Sequence, residues 1–208
     1  IAIGSTTAAA DNIRQEIVKT NDAQKYGELM KQLKERDGSV LIFVKTKFGA
    51  ERLAAKLNKE NQSADAIHGD LRQSRREKVI TGFRQRKFRV LVATDIAARG
   101  LDIPHIESVI NYDLPQCPED YIHRIGRTAR AGRKGKAITF MGRRDFSLMS
   151  RIERFIGVKL TPEPVLTAVQ VDQLRTESLV DDILERLKPD AVLPEELKEV
   201  EAAPEAMA

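Results

Sequence analysis

The chain has 208 residues, 41% of them hydrophobic, enough for one domain of ordinary size with a real core plus an appendage. No apolar run approaches the ~20 residues that span a bilayer, Ile1–Ala10 lacks the basic start of a secretory signal, and the single cysteine, Cys117, excludes an internal disulfide framework and fits a reducing, cytoplasmic setting. The net charge of +4 is unevenly divided: residues 1–157 hold 30 Lys/Arg against 19 Asp/Glu, a net of +11, whereas residues 158–208 hold 5 against 12, a net of −7.

Short β-branched apolar runs alternate with helical patterns. Ile13–Val18 reads as an edge strand and Lys25–Leu33 as a helix. Val40–Val44 is a buried strand. Phe48–Leu57 follows as a helix, with Leu53, Ala54 and Leu57 at helical spacing. Ala64–Ile67 is a short strand, and Arg75–Phe83 a helix with Val79, Ile80 and Phe83 on one face. Val90–Ala93 and Val109–Tyr112 are further buried strands. Glu119–Ile125 is a short helix after Pro118. Ala137–Met141 is a strand and Asp145–Ile156 a helix. Beyond it, residues 158–208 are punctuated by five prolines and form an acidic extension, with one amphipathic helix at Val171–Leu187 and a flexible end at Glu195–Ala208.

Alternating strands and helices, with strands apolar throughout, predict an α/β domain over residues 1–157 whose parallel sheet is sandwiched by helices. Ligands of such sheets sit at the carboxyl ends of the strands, and the polar motifs follow the strands directly. A basic body suits a polyanion, although a solvated basic surface gives the same count.

The most specific motif is His123-Arg-Ile-Gly-Arg-Thr-Ala-Arg-Ala-Gly132. Arg124, Arg127, Arg130 and Arg133 crowd into one short segment with Gly126 and Gly132 between them. Their planar forks suit phosphate oxygens, and they repel one another unless an anion such as a triphosphate lies among them. A surface basic loop accounts for any one of these arginines but not for the His and two Gly in this order. The second motif, Ala93-Thr-Asp-Ile-Ala-Ala-Arg-Gly-Leu-Asp-Ile-Pro104, begins at the end of a strand. Thr94 offers a hydroxyl and an N–H to a phosphate, Gly100 allows close approach, and Asp102 can accept from sugar hydroxyls. A strand-to-helix turn with Asp95 as N-cap explains Asp95 alone. The third, His68-Gly-Asp-Leu-Arg-Gln73 continuing to Arg76, puts Gln73 and Arg76 on one helical face for a phosphodiester backbone. A helix cap with solvated polar residues fits it equally.

In this order the three segments resemble the second, C-terminal RecA-like domain of DEAD-box ATP-dependent RNA helicases, as found in bacteria. Leu41–Lys47 is similar to motif IV of that family, Gln73–Arg76 to its QxxR element, Thr94–Asp102 to motif V, Val109–Pro115 to the stretch after it, and His123–Gly132 to motif VI. The resemblance covers Ile13 to Gly157. It implies a RecA-like fold and part of a motor that uses ATP with Mg²⁺ and acts on RNA. Arg127 and Arg130 would be arginine fingers on the γ-phosphate, and His123 would couple to the other domain as part of the catalytic set. Gly100 and Asp102 would lie at the ribose. Thr46, Gly69, Arg76 and Thr94 would track the RNA backbone, and Arg99 would join that surface and help close the cleft. Ala129 stands where the family often has glycine, and Lys45 where many relatives have a small polar residue.

The sequence holds no G-x-x-x-x-G-K-[ST] and no Asp-Glu-x-Asp. The phosphate cradle, the Mg²⁺ ligands and the water-positioning acid are therefore expected in an N-terminal RecA-like domain of the same protein. This chain is expected to be one half of the motor, without turnover alone, and Ile1 in place of an initiator Met fits a piece of a longer chain. No His or Cys has metal-ligand spacing, so no metal site is expected here. Two other readings stand: half of a DNA-acting superfamily 2 motor, and a binding or homodimerisation module that docks through Val171–Leu187.

Overall fold

The computed structural model describes residues 12–160. Strand β1 (Ile13–Lys19) is followed by α1 (Lys25–Lys34), β2 (Ser39–Phe43), α2 (Lys47–Lys59), β3 (Ala64–Ile67) and α3 (Gln73–Arg84). Then come β4 (Val90–Ala93), the short α4 (Asp95–Ala98), β5 (Ile106–Asn111), α5 (Pro118–Ile125), β6 (Gly135–Met141) and α6 (Phe146–Ile156). The expected acidic extension and its Val171–Leu187 helix lie outside the described residues.

The six strands form one parallel sheet in the order β1-β6-β5-β2-β4-β3. The central strand β2 is buried along its whole length, because its alternate residues serve two cores. Val40, Ile42 and Val44 pack with Leu29 and Leu33 of α1 and Leu53 and Leu57 of α2. Leu41 and Phe43 face the other way, toward Val79 and Phe83 of α3 and Ala97 of α4. A third cluster on β1 and β6 takes Ile17, Ala137 and Met141 against Tyr121 and Ile125 of α5 and Met149 and Ile152 of α6. The sheet is thus covered on both faces, which is why its strands read as continuous apolar runs.

Helix ends follow local chemistry. Thr46 caps α2, its hydroxyl oxygen accepting from the Gly49 N–H at 3.0 Å. Pro118 occupies the first turn of α5, where no N–H is needed. Gly157 ends α6 at φ 71°, a left-handed conformation suited to glycine.

Candidate functional site

The carboxyl edge of the sheet carries the polar motifs in strand order. His68–Asp70 follows β3, Thr94 follows β4, Lys45–Thr46 follows β2 and Asp113 follows β5. Thr46, Thr94 and Gly69 therefore lie on three adjacent strand ends. The Thr46 hydroxyl uses a lone pair on α2 and keeps its O–H to donate. Thr94, not Asp95, occupies the N-cap position of α4, and its carbonyl accepts from Ala97 and Ala98. Arg76, on α3, donates to the Ala97 carbonyl at 2.8 Å, so it braces the turn after β4. Gly69 is exposed.

Asp95 has a different role from the expected cap. Its two oxygens accept from Nε and Nη2 of Arg124 at 2.6 and 2.8 Å. Arg124 is buried, 2% exposed at the side chain, with Nη1 on the Asp113 carbonyl at 2.6 Å and on Asn111 Oδ1 at 3.2 Å. Its guanidinium also lies 4.9 Å from the centre of the Phe43 ring. A buried charge needs such full pairing. Arg124 thus joins α5 to α4, β2 and β5, and of the four clustered arginines it is the one turned inward. The sequence carried a signal: Tyr121, Arg124 and Ile125 stand at i, i+3 and i+4, the buried face of α5.

Arg127 and Arg130 emerge from the end of α5 toward the loop after α4. Arg127 donates to the Leu101 carbonyl at 2.9 Å and to the His123 carbonyl at 3.2 Å. Arg130 pairs with the exposed Asp102 at 2.6 Å and donates to the Gly126 carbonyl at 3.2 Å. Burial first, and then the Arg130 charge, hold the Arg127 guanidinium below its ordinary value, with Asp102 opposing. Two forks with one carboxylate between them leave positive charge at a partly desolvated edge, which suits an anion. Asp102, expected to meet a sugar, is engaged by Arg130.

His123 and Arg99 share Asp120. Arg99 Nη2 lies 3.3 Å and His123 Nδ1 3.9 Å from its carboxylate. The Cys117 thiol donates to the same group at 3.2 Å. Asp120 was not among the expected residues; only its i, i+3 spacing from His123 marked it. Gly100 adopts φ 75°, and an added Cβ there would meet nothing within 4 Å. Its glycine therefore serves the left-handed turn rather than clearance.

Ala129 also departs from the small change that its methyl suggested. It sits at φ 56°, ψ 26°, a conformation that costs an L-residue roughly 1–2 kcal/mol. Ala129→Gly is expected to raise stability by roughly 1 kcal/mol, since the strain relieved exceeds glycine's extra chain entropy. Denaturant melts of the two chains check this; a lower midpoint for the glycine variant refutes it.

The family model for the helicase conserved C-terminal domain matches residues 24–132. A probable ATP-dependent RNA helicase of Methanocaldococcus jannaschii is 48% identical over 149 residues, which is 72% of this chain and 41% of the relative. A solved structure of the C-terminal domain of the DEAD-box protein Dbp5 is 37% identical with a TM-score of 0.71, over 81% of this chain and 99% of that one.

The chain belongs to the helicase conserved C-terminal domain family, among the DEAD-box proteins.

Its sheet and flanking helices are the RecA-like fold of DEAD-box C-terminal domains. A further structure, Saccharomyces cerevisiae Dbp5 bound to RNA and ADP BeF3, is 38% identical with a TM-score of 0.70, over 84% of this chain and 46% of that one. The chain spans about a third to two fifths of the curated relatives it matches. The similar proteins are of mixed origin, archaeal, fungal and bacterial. No described helix is long and apolar enough to cross a membrane.

Proposed function

We propose that this DEAD-box domain is the C-terminal half of an ATP-dependent RNA helicase of the cytoplasm, working against an N-terminal RecA-like domain of the same protein. The observation that carries this is the cluster of Arg127, Arg130 and Asp102 built on the loop after α4, in a domain whose strand ends carry the line of Thr46, Thr94 and Gly69. The arginines fit a nucleotide phosphate, because their charge exceeds what Asp102 neutralises. Asp102 and Gly100 would lie at the ribose once Arg130 turns to the phosphate. Among the described residues no group of three His, Cys, Asp or Glu side chains could hold a metal. The Mg²⁺ that accompanies ATP would then be held by the other domain, where it would neutralise charge on the phosphates.

On this reading Thr46, Gly69, Thr94 and Arg76 form a surface for the RNA backbone. Arg99 and His123, joined through Asp120, face the partner domain. The motor engages RNA through phosphates, so it acts on sequence-unrelated strands alike. That Dbp5 is seen with RNA and a nucleotide analogue supports the assignment. The chain alone should show no ATP turnover, and the full-length protein should show turnover stimulated by RNA and not by DNA. Equal stimulation by DNA would favour a DNA-acting motor, and turnover by the isolated chain would refute the half-motor reading. A homodimer through the acidic extension stands as a lesser proposal, tested by sedimentation of the chain with and without residues 158–208; an unchanged monomer removes it.

A further inference from the structure

A cavity of about 640 Å³ opens at the carboxyl ends of β1, β6, β5 and β2. It begins at Lys45 and Thr46 and runs to Arg143 and Arg144 beyond β6. The crossovers that leave β2 and β5 pass to opposite faces of the sheet, since α2 packs in one core and α5 in another. Such a divergence of neighbouring strands is where open α/β sheets bind ligands. Arg127, Arg130, Thr94 and Gly69 do not line it.

Its charges are unequally satisfied. Asp113 accepts from Lys25 Nζ at 2.6 Å and from the Lys45 N–H at 2.9 Å. Asp145 accepts from the Gly142 N–H at 2.7 Å. Lys45 Nζ, Arg143 and Arg144 have no ion pair or hydrogen bond with any described residue, and Asp22 alone opposes them with an unengaged carboxylate. All three cations are exposed. The lining has no aromatic side chain, so stacking of bases is not what it offers. Unpaired guanidinium forks in a polar cleft suit phosphodiester oxygens.

Position gives the occupant. From β3 to β2 the strand-end line of Gly69, Thr94 and Thr46 covers two strand spacings, and from β2 to β6 the cleft covers two more, about 10 Å in each case. We infer that this cleft carries the next phosphates of the same RNA strand, held by Lys45, Arg143 and Arg144 beyond the Thr46 position. The inference rests on the proposed RNA track and lengthens it. The occupant is the sugar-phosphate backbone, read without sequence.

The test is a length series of single-stranded RNA bound by the full-length protein with a non-hydrolysable ATP analogue. The double variant Arg143→Ala/Arg144→Ala is compared with Thr94→Ala. Neither arginine has a partner among the described residues to lose, and an unchanged melting temperature verifies folding. The arginine variant should bind the shortest RNA that the parent binds as well as the parent does. On strands of about a dozen nucleotides it should lose roughly tenfold, with a salt slope shallower by ~1.4. Lysine at both positions should restore most of that loss. Thr94→Ala should weaken binding at every length. If the parent binds well and the arginine variant matches it at every length, the cleft is not part of the track. A uniform loss at all lengths, or weakened docking of the N-terminal domain without loss of RNA, also overturns the inference. Failure of the parent to bind any RNA sinks the function proposed above together with it.

Discussion

Arg127→Ala in the full-length protein should cut RNA-stimulated ATP turnover by ~10³-fold or more, while RNA affinity changes by no more than about threefold. The expectation follows from where the fork is held. Main-chain carbonyls of Leu101 and His123 fix it beside Asp102 and Arg130, against the loop after α4. Charge that grows on a transferring phosphoryl group is stabilised most by a donor already in place and partly shielded from water. No contact of Arg127 reaches Thr46, Thr94 or Gly69, so the RNA line should be spared. Arg127→Lys should recover little, because an ammonium cannot reproduce two parallel N–H donors. Single-turnover hydrolysis with saturating RNA is the measurement, and wild-type turnover in the alanine variant would remove Arg127 from the reaction.

Arg124→Ala should have the largest effect on stability, roughly 3–5 kcal/mol, because it leaves Asp95 without its fork and Asn111 and the Asp113 carbonyl without a donor. Asp95→Ala should cost less than Arg124→Ala. It strips the guanidinium of one partner but leaves the bonds to β5, and the Asp95 side chain is itself 29% exposed. The double variant should cost less than the sum of the singles, the mark of a direct pair. Urea melts of the chain decide this. A loss under ~1 kcal/mol for Arg124→Ala would mean that the pair is only a surface contact.

These two arginines show what is legible in one sequence. Both stand in a run of like residues, and composition alone assigns them the same task. What separates them is where α5 ends, since Arg124 falls with Tyr121 and Ile125 on its buried side and Arg127 lies beyond Ile125. The parallel sheet was legible because β2 and β4 are apolar on both faces. The start of β5 at Ile106 was not, because Glu107 is exposed and Ser108 is polar though buried, which breaks the apolar run before Val109. The four-residue α4 was not among the expected helices; it is too short to show a period, and Arg76 and Thr94 brace it from outside. The left-handed Ala129 was invisible for another reason, that backbone conformation is set by the tight exit from α5 rather than by the side chain. Residue types pointed to the candidate site, but the partners inside it, Asp120 and the Leu101 carbonyl, depend on how separate loops meet.

The resting bonds of Arg127 and Arg130 also bear on conformational entropy. A long side chain that must be immobilised at the moment of binding costs about 0.5–1.5 kcal/mol in lost rotamers. Here main-chain carbonyls of Leu101, His123 and Gly126 already hold both arginines close to one geometry. On the proposed function, most of that loss is incurred when the domain folds, not when nucleotide arrives. What must still be broken is the pair of Arg130 with Asp102, whose carboxylate is largely in water. An exposed pair of this kind is worth ~1 kcal/mol at most, so the arginines are ordered in advance and restrained only lightly from turning to a phosphate.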